Sequence, residues 1–346
     1  MARKPTQQQL FAELEQRYGQ AIADAFMAAI QDLRDGADLQ RVIAALEARD
    51  FEAAIAALHL DADAYAKMLD AIQATYQAGG EGATTYFPAK DRTGAAMIVR
   101  FHARNPAAEA WLRDHSATLV TRIVDDQRQA IRQALTAGMI RGVNPRTAAL
   151  DIVGRVNRVT GKREGGAIGL SAAQETFSGN ARSELASPDP ADLQKYLGRA
   201  LRDKRFDRSI AKAIREETTV PVAVQAKALT QYRNRLLKHR GDTIGRVEAM
   251  TALQKAKFMA HEQAIADGKV DEDAITKRWR SAHDFRVRHT HAVLDGHKAK
   301  FREPFVSPSG ARLLHPMDTT MGAGADEIVG CRCTAEYRID FLASLE

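Results

Sequence analysis

Cys331 and Cys333 are the only cysteines in 346 residues, and one residue separates them in the stretch IVGCRCTAEYRID. Four of the ten histidines, His283, His289, His291 and His297, lie just upstream in SAHDFRVRHTHAVLDGH, and His315 follows them. Thiolate and imidazole are the ligand types that zinc selects, and two side chains at this spacing point to one side of an extended chain. Cys331 and Cys333 would supply two ligands, with His289, His291, His297 and His315 as candidates for the rest. A plainer reading fits the same spacing. Cys331, Cys333, Ala335, Tyr337 and Ile339 would form the buried face of a half-exposed strand, with Arg332, Thr334, Glu336, Arg338 and Asp340 opposite. A cysteine–histidine nucleophile is a third chemistry, but nothing in the sequence marks the oxyanion hole it needs. A bridge between the two thiols would close a strained ring. The pair therefore reads as free thiols or ligands in a reducing cytoplasm.

A second constellation surrounds His291. Asp284, Arg286, Arg288 and Asp295-Gly296 place acids and arginines a few residues apart. They could form a phosphate or nuclease site. Arginine forks pair readily with carboxylates, which favours a buried ion-pair network that ties irregular loops together. Asp295-Gly296 is a turn signal between extended segments.

These residues need elements to hold them. ITKRWRSA, LLHP and CRCTAEYRI read as short strands, and SPSG as the turn joining two of them. Upstream the chain is helical. Leu10, Leu14, Tyr18, Ile22, Phe26 and Ile30 recur every four residues, and Gly36 suits a helix end. A second apolar pattern runs from Leu39 to Leu58. Asp61 is placed to cap a third helix ending near Gly79 and Gly80. Turn-rich residues 79–104 mark a boundary, with AAMIVRF as a short strand. Asn105-Pro106 and Asn144-Pro145 each read as an N-cap followed by proline at the first helical position. Ser171 and Gln174 have capping-box spacing after the glycine-rich GKREGGAIGL, which contains no nucleotide-binding fingerprint. Pro221 punctuates the next helices, and Asp242 is placed to cap the last. The expected fold is mostly α with a small C-terminal α+β domain: an N-terminal helical bundle over 1–80, a middle helical region over 81–190, and a domain over 191–346. That last domain comprises basic helices at 195–267 and short antiparallel strands within 270–346.

Charge is uneven. The chain carries a net +6, yet residues 195–260 alone hold 16 Lys and Arg against 6 Asp and Glu. Arg202, Lys204, Arg205, Arg208, Lys212, Arg233, Arg235 and Lys238 are candidate contacts to DNA or to an acidic protein surface. Solvated helix faces are the simpler explanation, and sparse aromatics argue against a base-stacking platform. The sequence contains no apolar run long enough to span a bilayer, and the N-terminus lacks the apolar centre of a signal peptide.

One ordered set of residues resembles a known family. Trp279, Asp284-x-Arg286-x-Arg288-x-x-His291-x-x-x-Asp295-Gly296, Phe305, His315-Pro316-x-Asp318 and Cys331-Arg332-Cys333 are similar to the C-terminal domain of phage Mu protein F-like head morphogenesis proteins. Arg246-Val247-Glu248 resembles that family's Arg-Thr-Glu helix, and Gly330 stands where the family more often has Asn. The likeness covers roughly residues 140–340. It implies a minor capsid protein of a tailed phage, inside the head and associated with the portal protein, that aids head assembly, DNA packaging or ejection. It also implies contacts with other head proteins and non-specific contacts with packaged DNA, a virion location after assembly in the host cytoplasm, and no membrane. It brings no catalytic residues, so the matching positions are expected to define the fold. The competing reading is a metal-dependent hydrolase or nuclease built on the His/Cys/Asp cluster.

Overall fold

The four-residue spacing that begins at Leu10 folds as one helix, α1 (Gln7–Gly36), with Ile22, Phe26 and Ile30 buried along its stripe. The computed structural model describes residues 4–341, and 61% of the chain is helical. The helices that follow are α2 (Leu39–Glu47), α3 (Phe51–Ala56), α4 (Ala66–Thr84), α5 (Pro106–Ile140) and α6 (Pro145–Val153). Next come α7 (Ala172–Ala186), α8 (Pro190–Leu197), α9 (Asp207–Arg215) and the 45-residue α10 (Val222–Ala266). Two short helices, α11 (His289–Leu294) and α12 (Ala325–Ile328), lie among the C-terminal strands. A two-stranded ribbon pairs β1 (Arg155–Val156) with β2 (Arg163–Glu164). Near the C-terminus β3 (Ile275–Arg280) is the centre of an antiparallel sheet, flanked by β4 (Lys298–Lys300) and β7 (Thr334–Ile339). A hairpin of β5 (Phe305–Val306) and β6 (Arg312–Leu313) closes through SPSG, as its turn chemistry predicts.

Several boundaries follow local chemistry. Asn105 Oδ1 accepts from the Ala108 amide at 2.8 Å, and Asn144 Oδ1 from the Thr147 amide at 2.8 Å. Ser171 and Gln174 complete their capping box at the start of α7. Others do not. Asp61 makes no side-chain cap, and α4 runs on through Gly79 and Gly80 to Thr84. Those glycines serve packing: a Cβ on Gly80 would meet the Phe101 ring at 2.1 Å, and one on Gly79 the Leu253 Cα at 3.0 Å. AAMIVRF forms no strand; Ala96 makes only an isolated bridge to Lys90. Asp242 caps nothing, because α10 passes straight through it.

The chain forms two compact units from discontinuous segments, where the sequence reading divides it into consecutive ones. The first comprises residues 1–25, 68–115 and 242–346; the second comprises 26–67 and 116–241. In the first unit Trp279, Phe305, Leu313, Met250, Cys331 and Cys333 share one apolar cluster. Here α10 crosses α1 closely: a Cβ on Gly245 would lie 2.2 Å from the Gly19 carbonyl oxygen. Gly245→Ala must therefore separate two backbones, and is expected to cost about 1–3 kcal/mol. A urea midpoint followed by the fluorescence of Trp111 and Trp279, both in this unit, measures it.

In the second unit the glycine-rich segment is a buried loop, residues 165–170. Buried carbonyls need donors, and arginines supply them. Arg34 donates to Gly166 O at 3.2 Å and Ile168 O at 2.8 Å. Arg240 donates to Gly169 O at 3.0 Å, and Arg233 to Gly165 O at 3.0 Å.

Candidate metal centre

Strand β3, helix α12 and the turn before β7 meet at His291, which lies on α11. Arg288 precedes α11 in extended conformation and donates to the carbonyls of Asp326 and Val329, tying α11 to the residues around α12. His291 follows on α11 and is 1% exposed. Trp279 on β3 meets its ring edge-on, with centroids 5.0 Å apart. Gly296, at φ 82°, turns the chain so that its amide donates to Trp279 O, while the Trp279 amide donates to His297 O, both at 2.9 Å. That closes the loop carrying His291 back onto the sheet.

Both thiols reach the same imidazole nitrogen. His291 Nδ1 lies 3.4 Å from Cys331 Sγ and 3.6 Å from Cys333 Sγ. All three residues are buried. On the far side of the ring, Nε2 approaches Glu327 Oε2 at 2.6 Å, a close ion contact short of hydrogen-bond alignment. Glu327, on α12, is itself held: Ser309 Oγ donates to Oε1 at 2.6 Å, Ser307 Oγ at 3.2 Å, and Thr290 Oγ1 donates to Oε2 at 3.3 Å. Burial pushes the Glu327 carboxyl up, but its bond to Ser309 and its closeness to His291 outweigh that and keep it below the ordinary range. The Cys331 thiol is held well below its ordinary range by its bond to Cys333 and by His291, against burial. Cys333 is pushed up by Cys331 and by burial. The buried indole N–H of Trp279 lies beside Cys333 and favours its anionic form.

The other motif residues buttress this cluster. Arg332 pairs with both oxygens of Asp284 at 2.6 Å, which holds that carboxyl down to about 2. The Arg286 amide donates to Asp284 at 2.9 Å, and the Ser281 amide to Asp295 at 2.7 Å. The expected buried network among these residues takes another form: Asp284 pairs at the surface with Arg332, Asp295 lies 3.6 Å from His283, and Arg288 meets backbone carbonyls. The expected strand face needs correction. β7 begins at Thr334, so both cysteines lie in the turn before it. Gly330 makes that turn at φ 74°, a conformation that glycine and asparagine both tolerate. Thr334, expected on the open face, is buried because its hydroxyl meets Gln254 at 3.0 Å and Lys257 at 3.3 Å on α10.

His315 does not join the cluster. Its Nδ1 lies 2.9 Å from Pro316 O, its ring packs on Phe258, and burial lowers its pKa to about 4. His289 and His297 are likewise outside it. Glu327 is the residue that sequence reasoning missed. An acid four residues before Cys331 was its only signal.

The candidate DNA contacts divide. Arg233 is 3% exposed and belongs to the core. Arg202 pairs with both oxygens of Asp207 at 3.0 Å, and Arg205 and Arg235 converge on Asp203 at 2.6 and 3.4 Å. Lys212 sits 3.8 Å from Glu216. Lys204 and Arg208 are exposed, as is Lys227. Much of the basic block therefore neutralises acids of its own unit.

Residues 192–336 match the family described as phage Mu protein F like protein, a span from α8 into β7 that contains the whole cluster. No curated protein and no solved structure matches the chain.

Proposed function

We propose that the chain, whose residues 192–336 match the phage Mu protein F like family, acts inside the head of a tailed phage as a minor component bound at the portal. That match supports a role connected with the phage head. The family match carries the proposal, because it covers the complete buttressed region rather than a single motif. The finer reading is that the protein helps head assembly, genome packaging or ejection, meeting the portal protein, other head proteins and packaged DNA. No described helix is long and apolar enough to cross a membrane. Quantitative mass spectrometry of nuclease-treated, gradient-purified particles tests the placement. The expected result is the chain at a small fraction of the major capsid protein. Its absence from mature particles would remove the internal role.

DNA contact, if it occurs, falls on the unburied cations. Reversing Lys204, Arg208 and Lys227 to Glu is expected to weaken DNA binding and to flatten its salt dependence by about one unit of slope per lost phosphate contact. Unchanged binding would take DNA off the list of partners. Arg202, Arg205, Arg233 and Arg235 are poor tests, since their loss strands Asp207, Asp203 or Glu175.

The hydrolase reading would need substrate beside the cluster. The space immediately there, about 10 Å³, holds no more than a water. A neighbouring cavity of about 220 Å³ is walled by Glu15, Arg246, Met250, Arg286, Cys331 and Arg332. Phosphodiester cleavage abolished by His291→Ala would replace the structural role.

A further inference from the structure

We infer that His291 Nδ1, Cys331 Sγ and Cys333 Sγ form a tetrahedral site for one zinc ion, completed by a water, that fastens the turn before β7 to α11. Geometry comes first. With Zn–S of about 2.3 Å and Zn–N of about 2.0–2.1 Å, a tetrahedron has S···N edges of about 3.5 Å. The observed edges are 3.4 and 3.6 Å. Two sulfurs sharing one imidazole nitrogen at that length surround a point where a small soft cation fits.

Lone pairs come second. Glu327 lies at Nε2, which places the ring proton there and turns the Nδ1 lone pair toward the sulfurs. Nδ1 offers one lone pair to two sulfurs, which lie at nearly equal distance from it. A cation satisfies all three donors together. Glu327 also completes the carboxylate–histidine support that orients a metal-bound imidazole, and Ser307 and Ser309 orient the carboxylate in turn. Softness comes third: two thiolates and an imidazole select zinc over magnesium or calcium.

The fourth position belongs to solvent. The residual space of about 10 Å³ beside His291, Gly330, Cys331 and Cys333 matches one water. His315, bonded to Pro316 O, is not available to it. With so little room, the site is a staple and not a reaction centre. It joins residues forty positions apart in a small sheet domain, where a metal supplies stability that a three-stranded sheet lacks.

The inference stands apart from the virion role, because metal content can be measured on the purified chain. The full chain is expressed with zinc in the medium, purified without chelator and subjected to elemental analysis, then exchanged into cobalt(II). The expected result is about one zinc per chain and, with cobalt, thiolate charge-transfer and tetrahedral d–d absorption. Cys331→Ser and Cys333→Ser should lose both signals. Glu327→Gln should weaken the metal about 10- to 100-fold. His297→Ala and His289→Ala should bind as the parent does. If the serine variants do not fold, the cobalt spectrum of the unsubstituted chain still decides. No zinc in that chain together with no thiolate–cobalt absorption overturns the site.

Discussion

Arg233→Met is expected to lower the stability of the second unit by about 3–5 kcal/mol, the cost of breaking one side of a buried ion pair. The guanidinium makes four hydrogen bonds at once. Nη2 donates to Glu175 at 2.7 Å, Nη1 to Asp151 O at 2.9 Å and Gly165 O at 3.0 Å, and Nε to Ser178 Oγ at 2.5 Å. Removing it leaves a carboxylate 7% exposed and two carbonyls without their donor. Burial already raises the Glu175 pKa despite Arg233, so the carboxyl would take up a proton rather than stay charged. Both tryptophans belong to the first unit, so urea midpoints should be followed by far-ultraviolet circular dichroism, with amide exchange to assign the loss. Arg233→Lys should fall between parent and Met, since a single ammonium cannot span the four acceptors. The double variant Arg233→Met with Glu175→Leu should recover part of the loss. A single Met variant as stable as the parent would mean the network contributes nothing.

That arginine shows what the sequence conveys and what it hides. A block of positive charge is legible, and so is helix, because period and caps are local. Asn105, Asn144, Ser171 with Gln174, and SPSG each state their geometry within four residues. Whether a guanidinium faces water or a buried carbonyl depends on what another segment brings to it. The partners of Arg233 lie 55 to 82 residues away. The glycine-rich loop has the composition of a surface turn, yet it is buried because Arg34, Arg233 and Arg240 satisfy its backbone. Gly79 and Gly80 mislead for the same reason: a helix end and a close helix contact look alike in one dimension. At the metal centre the two thiols and one imidazole were legible from their types and order. Choosing His291 over its neighbours and over His315 required the fold, as did finding Glu327, whose position is set by the serines of a separate hairpin.

Acidification should begin to destabilise the first unit before its carboxylates lose their charge. His261 is buried, stacked on Tyr337 with centroids 4.2 Å apart, and its Nδ1 lies 2.8 Å from Lys257 O. Burial lowers its pKa to about 3, and the nearby Lys257 charge adds to that. Burial likewise lowers His315 to about 4, with Lys255 and Lys277 helping and Asp318 opposing. The unfolded chain binds these protons near pH 6.5, whereas the folded chain does not. Between about pH 6.5 and the folded values the unfolded state therefore holds more protons, and stability falls as pH falls. At 1.36 kcal/mol per unit, each histidine can withdraw on the order of 3 kcal/mol by pH 4. The alkaline side has the same sign. Lys257 is buried with its pKa lowered to about 7 from 10.5, so stability rises with pH from about 7 toward 10 as the unfolded lysine alone stays protonated. Urea midpoints read by tryptophan fluorescence should climb from pH 4 to pH 9 instead of peaking near neutrality. His261→Phe keeps a ring among Phe87, Phe301 and Tyr337. It should flatten the acid limb and leave the alkaline limb unchanged. An acid limb as steep as the parent's would show that other groups carry the titration.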